Sequence, residues 1–271
     1  MARDTLEQLM VGGKRVILRR LGPASDRGLI LLHGSGGCHR SFDYLAEFLE
    51  GVTCVIPSLP GRLGSEGPPP ETVADAARFT SELAQAAGLD SFVVAGHSYG
   101  GAVAIELALS ARASSDARLA GLVLISTGAR LRVHPETLAR VERGVRIGSV
   151  HARDFMLLHE GAPIDLMDRI ADALGETPPE SLLADLRASD AFDRMDRIQD
   201  ITCPTLVLAG ERDPLIPPKF ARFLAQKING AELCFVESAG HALPTERPRE
   251  VAEAIVAFVQ RVGKGSGESG L

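Results

Sequence analysis

Six short apolar runs are spread along the chain, at residues 28–32, 52–56, 92–95, 121–125, 205–209 and 232–236. None alternates apolar and polar positions, so each reads as a strand buried on both faces, as in a parallel sheet. The segments between them carry helical periodicity and their own punctuation. Ser41 stands where it can cap a helix that stops at Gly51, and Thr72, with Asp75 after it, can cap one that stops at Gly88. Near the end, Pro248 falls in the first turn of a helix and Gly263 just past it. Along that helix Val251, Ile255, Phe258, Val259 and Val262 form one apolar stripe. Such alternation of strand and helix implies an α/β fold, a parallel sheet between helical layers. Ahead of it, two charged runs flank Gly12 and Gly13, the pattern of an antiparallel hairpin.

One interval breaks the rhythm. Between Ile125 and Thr205 no strand-like run occurs, while Pro135, Gly144, Gly148, Gly161, Pro163, Gly175 and the pair Pro178, Pro179 bound several short helical patterns. The excursion is too long for a plain crossover and too structured for a loop. It reads as a helical cap, residues 130–197, inserted into a core made of residues 1–129 and 198–263. Residues 264–271 are rich in Gly and Ser and read as a flexible tail.

At 271 residues the chain can bury a large core without disulfides or a structural metal. Its 45% hydrophobic and 24% charged residues exclude wholesale disorder. Lys plus Arg number 29 against 35 Asp plus Glu, a net charge of -6 that argues against a general affinity for nucleic acid or anionic lipid. No apolar run approaches the roughly 20 residues that span a bilayer. Met1, Ala2, Arg3, Asp4 and Thr5 do not open a signal segment. The expectation is a cytoplasmic monomer or homodimer that meets a small-molecule substrate, with no membrane or nucleic-acid partner. Cys38, Cys54, Cys203 and Cys234 are far apart and form no metal-ligand spacing. All four read as inert thiols, three of them buried in or beside the apolar runs.

The densest chemical signal is Gly96, His97, Ser98, Tyr99, Gly100, Gly101, which directly follows the run 92–95 and precedes a good helix. This is G-x-S-x-G in the strand–turn–helix setting that gives the motif meaning. A Gly-rich β–α turn without catalysis is the plain alternative. The turn would hold the Ser98 hydroxyl at the carboxyl end of the sheet, as a nucleophile. A serine hydroxyl needs a base, and the base needs a carboxylate to orient it. His241 lies in a small-residue loop after the last run, and Asp213 in the loop after the run 205–209, just before Pro214. Either alone is more often a surface residue. Glu211, Asp190 and Asp193 compete for the acid's place, with Glu211 read as tying down loop backbone. Together Ser98, Asp213 and His241 follow the order Ser, Asp, His along the chain, which is the hydrolase order.

A developing oxyanion needs two backbone donors. Tyr99, just after the nucleophile, supplies one amide. The loop Leu32, His33, Gly34, Ser35, Gly36, Gly37 supplies the other, most naturally Ser35. The same loop lacks the Gly-Lys-Ser/Thr and G-x-G-x-x-G patterns of phosphate cradles. His33 and His97 read as hydrogen bonders that fix loops, His97 pointing away at the elbow. His39, His134, His151 and His159 read as surface or cap residues, with His39 and His134 at the entrance.

Taken in order, His33-Gly34, Pro60-Gly61 with Gly64-Ser65, Gly96 to Gly101, Gly210 to Asp213, and Gly240-His241 make the chain resemble the α/β-hydrolase superfamily. The resemblance covers nearly the whole chain and is closest to the capped, lipase-like esterase branch. It implies a mostly parallel eight-stranded sheet flanked by helices, an inserted helical cap, and the triad Ser98, Asp213, His241, with no cofactor and no metal. One departure is Pro60, Gly61, Arg62, Leu63, Gly64, Ser65, a residue longer than the family's usual turn when aligned on the serine. Serine at 98 separates the chain from relatives resembling dehalogenases and epoxide hydrolases, which place aspartate there. The absence of Trp argues against the halide-binding branch.

The expected function is hydrolysis of a small to medium apolar carboxylic ester, or a related acyl compound, through an acyl-enzyme. Carbon–carbon bond hydrolysis of a diketone ring-cleavage product is the alternative, suggested by His33, Gly34, Ser35 and Gly36. It would require cap arginines such as Arg140, Arg143, Arg153, Arg169 or Arg187 to face the pocket. Acyl transfer and hydroxynitrile lysis are open to the same triad. A ligand-binding receptor with weak turnover is the reading from another class, since fold alone does not decide function.

Overall fold

The computed structural model describes residues 3–114, 118–174 and 177–265. Its strands are β1 (Arg3–Val11), β2 (Lys14–Gly22), β3 (Arg27–Leu32), β4 (Cys54–Pro57), β5 (Ser91–His97), β6 (Leu119–Ile125), β7 (Thr205–Gly210) and β8 (Glu232–Val236). Its α-helices are α1 (Asp43–Ala46), α2 (Val73–Ala86), α3 (Tyr99–Ser114), α4 (Pro135–Ile147), α5 (Leu166–Leu174), α6 (Pro179–Ala191), α7 (Lys219–Lys227), α8 (Leu243–Glu246) and α9 (Pro248–Gly265). The strands form one eight-stranded sheet in the order β1-β2-β4-β3-β5-β6-β7-β8. β1 and β2 make the expected hairpin, β2 pairs antiparallel with β4, and every later pairing is parallel.

The apolar runs work as strands because successive side chains leave opposite faces and both faces are covered. Ile30, Leu32, Leu122 and Leu124 join the cluster under α2, α3 and α7. Their neighbours Leu29, Leu31, Val123 and Ile125 join the one under α1 and α9. β8 departs from this pattern. It is an edge strand, and Glu232, Leu233 and Cys234 are exposed. Cys234 is therefore not a buried thiol, and Cys203 is only half-buried, whereas Cys38 and Cys54 are fully enclosed.

The helix punctuation held in part. Thr72 caps α2 as the spacing predicts: its Oγ1 accepts from Asp75 N while the Asp75 carboxylate accepts from Thr72 N. Ser41 does not cap. It sits in a 3-10 turn, His39–Phe42, that leads into the four-residue α1, so no helix reaches Gly51. Gly263 lies inside α9, which continues to Gly265; residues 266–271 of the expected tail lie outside the described residues. Gly144 likewise falls within α4, where its missing Cβ admits Ser149 O and Val150. Gly175 lies outside the described residues.

Between β6 and β7 the chain inserts α4, α5 and α6. The insertion is pinched at its base, where Arg130 and Asp193 form a bridge and Arg194 N donates to Ala129 O at 2.8 Å. α4 packs on α6 through Val141, Leu182 and Leu186, and α5 packs through Leu166 and Ile170 toward Ala242, just before α8. Among the described residues, no helix is long and apolar enough to cross a membrane.

The two supports of the fold should differ in weight. Phe258 is 1% exposed in the face under α9, so Phe258→Ala should cost about 3–5 kcal/mol. Thr72→Ala, which removes only the cap of α2, should cost about 1 kcal/mol. Urea melts followed by circular dichroism would check both, and equal losses would contradict the ranking.

Candidate active site

β3 and β5 are neighbours, with Leu32 opposite Gly96, so the loops that follow them emerge side by side. The sheet order also reverses here, since β4 lies on one side of β3 and β5 on the other. Clefts form at such switch points, outside the carboxyl ends of the strands. The turn from β5 into α3 is tight. A Cβ on Gly96 would collide with the Gly100 carbonyl, and one on Gly100 with the Leu32 carbonyl. Glycine at these two positions lets strand and helix meet almost at once.

At the apex, Ser98 takes φ 53°, a region that costs a non-glycine residue about 1–3 kcal/mol. Its backbone is held on both sides. Ser98 N donates to Ile125 O at 2.9 Å, and Ser98 O accepts from Thr127 Oγ1 at 2.8 Å and Gly101 N at 2.9 Å. Strain with this many restraints aims a side chain.

What Ser98 meets comes from two distant loops. His241 Nε2 lies 3.0 Å from Ser98 Oγ, and His241 Nδ1 lies 2.9 Å from Asp213 Oδ2. A carboxylate oxygen only accepts, so Nδ1 carries the hydrogen and Nε2 presents its lone pair to the hydroxyl. The second Asp213 oxygen accepts from Leu215 N at 2.9 Å and Ile216 N at 2.8 Å, which holds the carboxylate in place. Asp213 and His241 are buried and Ser98 is half-buried at the cavity floor. The competing acids lie elsewhere. Asp190 accepts from Val133 N, Asp193 pairs with Arg130 and Arg132, and Glu211 is exposed. At position 211 it is the amide, bonded to Val236 O, and not the side chain, that ties the loop.

The cavity above Ser98 has a volume of about 360 Å³. The core contributes Gly34, Ser35, Ile216 and His241, and the insertion contributes Leu131, Phe155, Met156, Leu157, Ile170 and Leu174. Of the two amides expected to serve an oxyanion, Ser35 borders the cavity, while the Tyr99 side chain turns away into the core. Arg140 and Arg153 also line this cavity, but Arg143, Arg169 and Arg187 do not; Arg169 stacks on Tyr44 and Arg187 pairs with Glu142.

The histidines divide differently from expectation. His33 fixes its loop as read, accepting from Leu59 N and donating to Gly34 O. His97 does not point away. Its Nε2 donates to His241 O at 2.8 Å, and the two rings stand 5.1 Å apart. Burial, helped by the neighbouring His241, pushes the His97 imidazole down to about 4, so it stays neutral beside the site. Burial likewise holds His33 well below its usual value. His39 is buried against Ser58 and does not border the cavity, whereas His134 does.

His159 and Glu246 were missed by sequence reasoning as a pair. Glu246 accepts from Gly240 N at 2.7 Å and Ala242 N at 3.1 Å, and so grips the backbone on both sides of His241. His159, buried in the insertion, reaches the same carboxylate at 3.1 Å. Glu246 lies five positions past His241, a spacing that could have drawn notice; nothing local marks His159. Burial also pushes the Cys38 and Cys54 thiols up, and the Cys203 thiol to about 11, which fits inert sulfurs.

Residues 29–254 match the alpha/beta hydrolase family. The chain is 29% identical to a putative carbamate hydrolase, RutD, of Caulobacter vibrioides, over 88% of this chain and 93% of that one. It is 28% identical to a pimeloyl-[acyl-carrier protein] methyl ester esterase of Neisseria meningitidis, over 83% of this chain and 89% of that one. Among solved structures, a thermophilic esterase from Thermogutta terrifontis superposes with a TM-score of 0.80 at 26% identity, over 95% of this chain and 99% of that one. The match spans most of the sheet and all of the loops that carry Ser98, Asp213 and His241. The chain thus belongs to the alpha/beta hydrolase family and is an enzyme of the hydrolase type.

Proposed function

We propose that this hydrolase cleaves a small to medium apolar carboxylic ester through Ser98, His241 and Asp213. The observation that carries the reading is the unbroken hydrogen-bond chain from Ser98 Oγ through the His241 imidazole to Asp213. In the first step Ser98 Oγ attacks the ester carbonyl carbon while His241 Nε2 takes the hydroxyl proton. Asp213 holds the imidazole and stabilises the cation that forms. The amides of Ser35 and Tyr99 receive the oxyanion, His241 returns the proton to the leaving alkoxide, and an acyl-serine remains. Water, deprotonated by the same imidazole, then attacks the acyl carbon and frees the acid and Ser98. The insertion acts as the cap of this site, and its Phe155, Met156, Leu157, Ile170 and Leu174 favour apolar acyl chains that a cavity of about 360 Å³ can house.

Carbon–carbon hydrolysis of a diketone acid is the second reading. One observation favours it: Arg140 and Arg153 line the cavity, as an acidic substrate would require.

Ser98→Ala should leave the fold intact and lower kcat by several orders of magnitude, roughly 10⁴- to 10⁶-fold on the precedent of removed triad serines. Near-normal turnover of the purified variant would end the mechanism. Asp213→Asn should cost about 10⁴-fold, because the wrong imidazole tautomer is then favoured, whereas Glu211→Gln should leave kcat close to normal. The reverse order would reassign the acid. Across p-nitrophenyl esters of increasing acyl length, rates should peak at short to medium chains. A steady rise out to palmitate would mean an open lipase groove instead. If a diketone acid is turned over and the esters are not, with Arg153→Ala raising KM for the acid, the second reading stands.

A further inference from the structure

The insertion reaches the oxyanion loop through a buried ion pair that the mechanism above does not use. Asp185, in α6, and Arg62, in the loop after β4, are both essentially without solvent contact. Their pairing is bidentate: Arg62 Nη1 lies 2.8 Å from Asp185 Oδ2 and Arg62 Nη2 lies 3.1 Å from Asp185 Oδ1. Burial pulls the Arg62 guanidinium toward neutrality, but Asp185, with Tyr99 and Cys38 beside it, holds the group charged. Asp185 Oδ2 also accepts from Gly36 N at 2.9 Å.

That third bond falls at a sensitive point. Gly37 N donates to Gly34 O at 3.0 Å, closing a β-turn with Ser35 and Gly36 at its centre. Gly36 has φ 71°, the positive value that a type II turn demands at its third position. The peptide between Ser35 and Gly36 is the one whose rotation separates type I from type II turns, and its N–H is the group that Asp185 holds. The same turn presents Ser35 to the cavity. α6 lies directly on it, since a Cβ on Gly36 would come within 3.0 Å of Leu182 Cδ1. The longer turn around Arg62 has its use here. Leu63 takes φ 41°, and Arg62 turns inward beneath the cap instead of lining the cavity.

We propose that Asp185 is a positioning residue of the reaction, and Arg62 its partner: the cap's buried carboxylate holds the Ser35–Gly36 peptide in the orientation that keeps the Ser35 amide aimed at the oxyanion. The proposal rests on the serine-hydrolase reading. Seating of the cap and assembly of the oxyanion hole then become one event, because the acceptor of Gly36 N–H arrives on α6.

The test compares two double variants that both lack the ion pair. Replacing a buried pair by uncharged groups of similar volume avoids an unpaired buried charge. R62M/D185N keeps a side-chain oxygen for Gly36 N–H, whereas R62M/D185L does not. Both are assayed on p-nitrophenyl butyrate, with kcat expressed per site titrated by a fluorophosphonate. R62M/D185N should retain most of the wild-type kcat. R62M/D185L should lose about 10²-fold in kcat, the cost of a small misplacement of a reacting group, while KM changes less than roughly threefold. If R62M/D185L gives no cooperative thermal melt, R62M/D185A takes its place. Equal kcat in the two doubles would overturn the proposal and leave the pair a structural one. No phosphonylation of Ser98 in the wild-type chain would instead overturn the serine-hydrolase reading, and this inference with it.

Discussion

The geometry of the site depends on one strained residue. Ser98 can hold φ 53° only because β5 and α3 meet at van der Waals limits on either side of it, and because backbone partners from β6 and the Thr127 hydroxyl grip its amide and carbonyl. A looser turn would let Ser98 relax to an ordinary conformation and swing its hydroxyl away from His241. The whole sheet contributes to this restraint. The parallel pairing of β3, β5 and β6 fixes where the Leu32 carbonyl and the Ile125 carbonyl sit, and both touch the turn.

Around that point the protein repeats one device, a buried carboxylate that holds loop backbone by its amides. Asp213 accepts two amides of its own loop and orients His241. Glu246 accepts the amides on either side of His241, and Asp185 accepts the amide of Gly36. Loops rarely order themselves through apolar burial, since their peptide groups need partners. A carboxylate with two oxygens meets that need at several donors at once. Two of these three carboxylates are also met by the insertion or belong to it, through His159 on Glu246 and through Asp185 itself.

The cavity shows a different balance. Its walls from the insertion combine flexible apolar side chains with charged ones, Arg132, Arg140 and Arg153 together with Asp154. Flexible apolar side chains can adapt to different ligand shapes, and the charged residues place both signs of charge at the same wall.

Local order was legible in the sequence where neighbours along the chain decide it. The doubly buried strands, the capping box at Thr72, the hairpin and the strand–turn–helix around Ser98 all follow from patterns a few residues long. That Ser98, Asp213 and His241 sit in turns and loops after strands was legible too, because each follows an apolar run. Where short-range signals lacked strength, the boundaries moved: Ser41 sits in a turn, and Gly144 and Gly263 are absorbed into helices, Gly144 where Ser149 and Val150 pack against it and Gly263 at the exposed end of α9, because a helical glycine costs only about 1 kcal/mol. Only the tertiary structure decided the rest. His97 turns toward His241, His159 finds Glu246 across 87 positions, and Arg62 finds Asp185 across 123. These contacts join residues that carry no mark of each other in the chain; the two that involve His159 and Asp185 form only where the insertion meets the core, and there close hydrogen bonding must offset the cost of burying polar and charged groups.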